Sequence, residues 1–156
     1  MTRRIHAIAG LLAFSLVATF WIASVASELF GSTASIVLVK TTIPWGFLIL
    51  VPAIAATGGS GFTLAKRRNG AGVGTKLRRM PIIAANGLVV LIPSALYLAA
   101  KADASDFDTR FYLVQALELI AGAINLALLG LNIRDGLRLS GKRQPRRLSG
   151  AAQTLR

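Results

Sequence analysis

One stretch of the chain sets polar groups at helical spacing inside an apolar run. Gln115, Glu118, Gly122, Asn125, Leu129 and Asn132 follow one another at intervals of 3, 4, 3, 4 and 3 residues. At about 100° per residue they fall within an arc of roughly 100°, a single stripe on one helix. Their neighbours are mostly Leu, Ile, Ala, Val and Gly. Lipid cannot satisfy amide or carboxyl groups, so the stripe is expected to face other helices or a wet cavity.

Glu118 is the one acid expected inside a membrane span, and a carboxylate there is by default a candidate functional group. Desolvation disfavours its charged form. Two chemistries fit. In the first, Glu118 is neutral or hydrogen-bonded and joins helices together with Gln115 and Asn125. A Glu118→Gln change would then hold or raise stability. In the second, Glu118 is a proton or cation site whose occupancy changes during transport. The expected hydrogen-bond partner is Gln115 or a residue of a neighbouring helix. Asn86, in the preceding span, matches Asn125 in depth and lies too near the other membrane face to meet Glu118.

Other chemistries find no residues. The chain has no cysteine, which excludes disulfides, thiolate metal sites and cysteine nucleophiles. It has a single histidine, His6, so a bis-histidine haem cannot form. The run Gly70-Ala71-Gly72-Val73-Gly74-Thr75-Lys76 resembles a phosphate-binding loop at first sight. That motif needs Gly-Lys-Ser/Thr in order after a strand, and here the order is Gly-Thr-Lys. No catalytic residue, metal or cofactor is expected.

The elements that carry these residues follow from composition. Of 156 residues, 54% are hydrophobic and 15% charged, against about 25% charged in soluble domains. Four apolar runs are long enough to span a bilayer, at about 5–27, 43–65, 80–100 and 110–133. The expected fold is all-α, a four-transmembrane-helix bundle over residues 1–133. A signal peptide is the alternative reading of the first run, since Ala23–Ser27 resembles a cleavage site, but the run is longer than a signal core. Residues 28–42 are expected as the first outer connection. Its Ile36-Val37-Leu38-Val39 segment either lies in the interface or extends the second span outward.

Pro44 is expected in the first turn of the second span and Trp45 at the outer interface. Pro52 and Pro93 are expected to bend their helices by freeing the carbonyls of Leu48 and Val89. Gly58, Gly59 and Gly61 are expected to loosen the second helix or allow close packing. Tyr97 and Lys101 read as interfacial anchors.

Charge gives the orientation. The segment Lys66 to Arg79 carries Lys66, Arg67, Arg68, Lys76, Arg78 and Arg79 and no acid. A basic loop between spans resists translocation and marks the cytoplasmic side. Both termini then fall inside, the N-in/C-in arrangement. Arg3, Arg4, the six loop cations and seven tail cations lie inside, and Lys40, Lys101 and Arg110 outside. The net charge of +12 is therefore read as a topology signal, with no nucleic-acid partner. The loop cations are expected to meet anionic lipid head groups. Residues 134–156 are expected as a basic, mostly disordered cytoplasmic tail.

The expected setting is a bacterial inner membrane. The expected role is non-catalytic and works by assembly, as a homo-oligomer or an accessory subunit of a membrane complex. A small proton- or cation-coupled transporter or channel using Glu118 is the alternative.

Overall fold

The structure is a computed structural model that describes residues 2–66 and 73–141, with side chains over 4–61 and 79–138. All described regular structure is helical. Helix α1 (Thr2–Phe30) leads into α2 (Thr33–Lys66). Then α3 (Val73–Ala85), a π-helical turn (Asn86–Leu91) and α4 (Ile92–Asp103) follow, and α5 (Thr109–Gly141) ends the described chain. Backbone angles stay helical at Ala85 (φ −62°, ψ −48°) and Ile92 (φ −65°, ψ −50°), so α3, the π-helical turn and α4 form one continuous rod. Among the described residues, four helices are long and apolar enough to cross a membrane.

The α1–α2 connection is only Gly31-Ser32. The Ser32 hydroxyl accepts the Ser35 backbone N–H at 3.3 Å and caps α2. The Gly31 N–H bonds to the Ser27 carbonyl at 3.0 Å, and a side chain on Gly31 would collide with that carbonyl. The wide outer connection expected over 28–42 is therefore helix on both sides, and Ile36–Val39 extends the second span. Ile36 and Val37 pack against Leu98, Ala102 and Phe111, which form one of two apolar clusters. Pro44 consequently sits in the interior of α2, where it removes the N–H that would reach the Lys40 carbonyl. Trp45 stands twelve residues into α2, about 18 Å from its start, near mid-helix and facing outward. It is not at the helix mouth.

The second apolar cluster joins Ala13 and Val17 of α1, Leu50 and Ala53 of α2, Ile83 of α3 and Leu129 of α5. Pairings between helices make successive rods antiparallel. His6 meets Thr57 and Ser60, Asn86 meets Asn125, and Arg79 meets Asp135. The rods form a ring in which α1 packs on α2 and α5, and the third rod also packs on α2 and α5. No backbone approach joins α2 to α5, or α1 to α4, among the described residues. Those pairs are diagonals. Large apolar side chains such as Ile8, Leu11, Leu48, Val89, Leu113 and Ile120 point outward, which is the reverse of a water-soluble bundle.

Two further boundaries differ from expectation. The α5 helix runs on to Gly141, so residues 134–141 are helical and not tail. No proline interrupts them, and Gly136 costs a helix only about 1 kcal/mol. The third rod begins at Val73, inside the expected basic loop. Residues 67–72, which include Arg67, Arg68 and the first three residues of the glycine-rich run, and residues 142–156 lie outside the described residues, as do the side chains of Lys66, Lys76 and Arg78.

Candidate functional site

The expected stripe on α5 faces the bundle. Gln115, Asn125, Leu129 and Asn132 are buried, and Glu118 is nearly so at 12% exposure. Its burial has a simple origin: these are the positions that a 3.6-residue period brings onto one side of α5.

Glu118 is met by Lys40 of α2. The Lys40 ammonium donates to Glu118 Oε2 at 2.7 Å and to the Ser24 hydroxyl of α1 at 3.1 Å. Lys40 is only 1% exposed. Because α2 and α5 are diagonal, this long side chain crosses the bundle axis to reach its partner. Lys40 lies seven residues from the start of α2 and Glu118 nine from the start of α5, so both sit about 10–14 Å in from the end that carries the Gly31-Ser32 hairpin. The pair occupies the level between the two apolar clusters. A carboxylate bonded to an ammonium is an ion pair, so the hydrogen bond expected of Glu118 is made to a residue of a neighbouring helix. Gln115 does not bond to it.

Glu118 is not the one acid on the four long apolar helices. Helix α1 continues to Phe30 and carries Glu28 with it. Glu28 stands one turn nearer the hairpin end than Ser24, and its Oε1 is buried without a protein partner. Gln115, 4% exposed, leaves both its amide oxygen and its amide nitrogen unmatched. On the other side of the ion pair lies a cavity of about 60 Å³ lined by Trp21, Ser24, Phe47, Leu50, Glu118 and Gly122 among others. It has room for a few waters. The Trp21 indole N–H donates to the Leu119 carbonyl at 2.9 Å and holds α1 against α5.

A second polar level lies deeper. The Asn86 amide donates to the Ala121 carbonyl at 2.8 Å and to Asn125 Oδ1 at 3.0 Å. The depth match expected from sequence is thus a direct contact. Asn86 opens the π-helical turn that precedes Pro93. The proline withholds the N–H that would close on Val89, and the wider turn is where the ladder adjusts. Deeper still, Asn132 Nδ2 approaches Met80 Sδ at 3.8 Å. The site residues Gln115 and Glu118 therefore share one level, Asn86 and Asn125 another, and Asn132 a third.

Charges also pair at both ends. Arg79, expected as a lipid-facing cation, donates to Asp135 at 2.9 Å and ties α3 to α5. Lys101 donates to Asp106 at 2.6 Å and Asp108 at 2.9 Å. Asp108 also accepts the Phe111 N–H at 2.8 Å as the cap of α5. These two contacts hold its carboxyl below the ordinary aspartate range, Lys101 first and Phe111 second. His6 at the opposite end has Nδ1 3.1 Å from the Thr57 carbonyl and 3.0 Å from the Ser60 hydroxyl.

Lys40, Glu28 and Ser24 were absent from the expected site. The available signal was Ser32-Thr33-Ala34-Ser35, a capping pattern that starts the second helix ten residues earlier and draws Lys40 inside. The chain matches no family model, and no curated protein or solved structure matches it.

Proposed function

We propose that the protein is a non-catalytic, four-span membrane protein of the bacterial inner-membrane type that acts by assembly, with a second copy or with a membrane partner. The observation that carries this reading is the Lys40–Glu118 ion pair, which closes the bundle axis between two apolar clusters. A bundle pinned across its diagonal is a rigid body, and its apolar outward faces are its working surface. The cavity beside the pair, about 60 Å³, is smaller than the roughly 300–1,000 Å³ of sites for drug-sized ligands.

In this reading both termini are cytoplasmic, and Lys66, Arg67, Arg68, Lys76, Arg78 and the cations in residues 142–156 attract anionic lipid, each worth on the order of 1 kcal/mol near the surface. Reporter fusions after Arg68 and Arg147 should read cytoplasmic and one after Asp106 periplasmic. A cytoplasmic reading at Asp106 would refute the orientation. Assembly is tested by purification in mild detergent with mass spectrometry. The wild type and the Lys40→Met/Glu118→Leu variant should bring along the same partner or the same copy number.

Proton- or cation-coupled transport is the second reading, favoured by the unmatched polar atoms of Glu28 and Gln115 beside the pair. It requires flux into proteoliposomes that the same double variant abolishes.

A further inference from the structure

Trp45 stands 73% exposed on the outward face of α2. The apolar part of that helix runs from Thr33 to Gly61, so Trp45 lies about 18 Å from one end and about 24 Å from the other. Tryptophan is favoured at membrane interfaces, where water or head groups meet its N–H. Here the ring falls inside the roughly 30 Å hydrocarbon layer. The Trp21 indole N–H donates to the Leu119 carbonyl, whereas among the described residues nothing accepts from the Trp45 N–H. Hydrocarbon cannot accept it either.

Acceptors of the right depth sit on the same face. A helical side chain leans toward the N-terminus of its helix, so the Trp45 ring covers the turn that holds Thr41 and Thr42. The Thr41 hydroxyl donates to the Val37 carbonyl at 2.8 Å, and the Thr42 hydroxyl donates to the Leu38 carbonyl at 2.7 Å. Each spends its one proton on its own helix and keeps oxygen lone pairs that can accept. Charge does not oppose a second copy here. Lys40 is the only charged residue between Thr33 and Ala65, and it points inward to Glu118.

We propose that this face of α2 is where two copies of the chain pair, with the Trp45 N–H of each copy donating to a Thr41 or Thr42 hydroxyl of the other. The inference rests on the assembly reading and names its partner and its surface. Two copies inserted the same way are related by a two-fold axis along the membrane normal, and such a contact sets one patch against itself. Equal residues then stand at equal depth, so donor and acceptors meet at one level and both indoles are satisfied together. A partner of different sequence would have to bring its own acceptor to that depth. Leu38 and Leu48, both exposed, flank the polar level and supply apolar packing.

The chain has no cysteine, so single cysteines report contacts directly. Leu48 of α2 and Leu113 of α5 are both exposed. In membranes treated with copper phenanthroline, Leu48→Cys should run as a covalent dimer and Leu113→Cys as a monomer. Energy transfer between labelled copies then measures dimer strength as the protein is diluted into lipid. Trp45→Phe keeps a ring and removes the donor, and Thr41→Val/Thr42→Val removes the acceptors. Each should weaken the dimer about tenfold, since two bonds are lost, and the combination should weaken it no further. These variants leave the ion pair and both apolar clusters in place, so the bundle itself should fold.

Dimers that cross-link through Leu113→Cys and not through Leu48→Cys would overturn this face and leave the assembly reading standing. Capture of a different protein by Leu48→Cys would remove the second copy as the occupant and leave that reading standing too. Dimers of unchanged strength in Trp45→Phe and in Thr41→Val/Thr42→Val would refute the hydrogen-bonded contact. A chain that purifies alone and stays monomeric at every dilution would overturn both the proposal and the assembly reading.

Discussion

Lys40 and Glu118 stand 78 residues apart in the chain and close to 2.7 Å across the diagonal of the bundle. Taking both charges out of water is costly, and their attraction offsets that cost only while the pair is intact. Removing one partner strands the other. Lys40→Met or Glu118→Gln should each lower stability by about 3–5 kcal/mol, and Lys40→Met/Glu118→Leu should return close to wild type. This reverses the expectation from sequence that Glu118→Gln holds or raises stability. Thermal unfolding in nanodiscs of wild type, Lys40→Met, Glu118→Leu and the double variant gives the double-mutant cycle, with Glu118→Gln as a further single change. Additive single effects would show that the two side chains do not interact.

Glycines that meet an aromatic ring of α1 should behave differently from one on α2 that meets nothing. A Cβ on Gly122 would lie 2.8 Å from Trp21 Cδ1, and one on Gly46 would run into the Phe20 ring. A Cβ on Gly58 meets nothing within 4 Å. Alanine at Gly46 or Gly122 must push an aromatic ring aside, and at Gly122 the shift also endangers the Trp21–Leu119 bond. Each should cost about 1–3 kcal/mol. Gly58→Ala should gain about 0.5–1 kcal/mol from helix propensity. Melting temperatures would rank the three, and a stabilising Gly122→Ala would contradict the close helix contact.

The stripe on α5 was legible because a 3.6-residue period survives in any apolar helix, and the Asn86–Asn125 contact followed from counting turns. Lys40 was not legible. A lone cation at the edge of an apolar run reads as a loop residue by hydropathy, yet Ser32 starts the helix upstream and carries Lys40 about 10 Å in. Glu28 was lost for the mirror reason, since α1 runs to Phe30 across a polar Ser27-Glu28 step. The diagonal itself is a property of the ring of four rods, and no periodicity within one helix encodes it.

Asn86 and Asn125 should contribute unequally. Asn86 donates to both the Ala121 carbonyl and Asn125, so Asn86→Leu leaves Asn125 Oδ1 without that donor at a site only 3% exposed. Asn125→Leu leaves Asn86 still bonded to Ala121 and gives up, besides, only the long 3.5 Å contact from the Asn125 amide to the Ile83 carbonyl. The first change should cost about 1–2 kcal/mol and the second less. Equal losses in thermal unfolding would mean that the Ala121 bond adds nothing.

Acid should loosen the start of α5 before the bundle. Lys101 and the Phe111 N–H both favour ionised Asp108, so its folded-state value lies below its unfolded one. A depressed carboxyl contributes stability that is fully present above the unfolded value, about 3.9 for aspartate, and is lost as pH falls through the folded value. The Lys101 contact is partly exposed and screened by salt, so the effect should shrink at high ionic strength. The readout is the hydrogen-exchange protection factor of the Phe111 amide. In wild type it should hold above about pH 4 and fall below it, and in Asp108→Asn it should be lower at neutral pH and nearly flat with pH. A wild-type Phe111 protection factor independent of pH would show that Asp108 does not hold the first turn of α5.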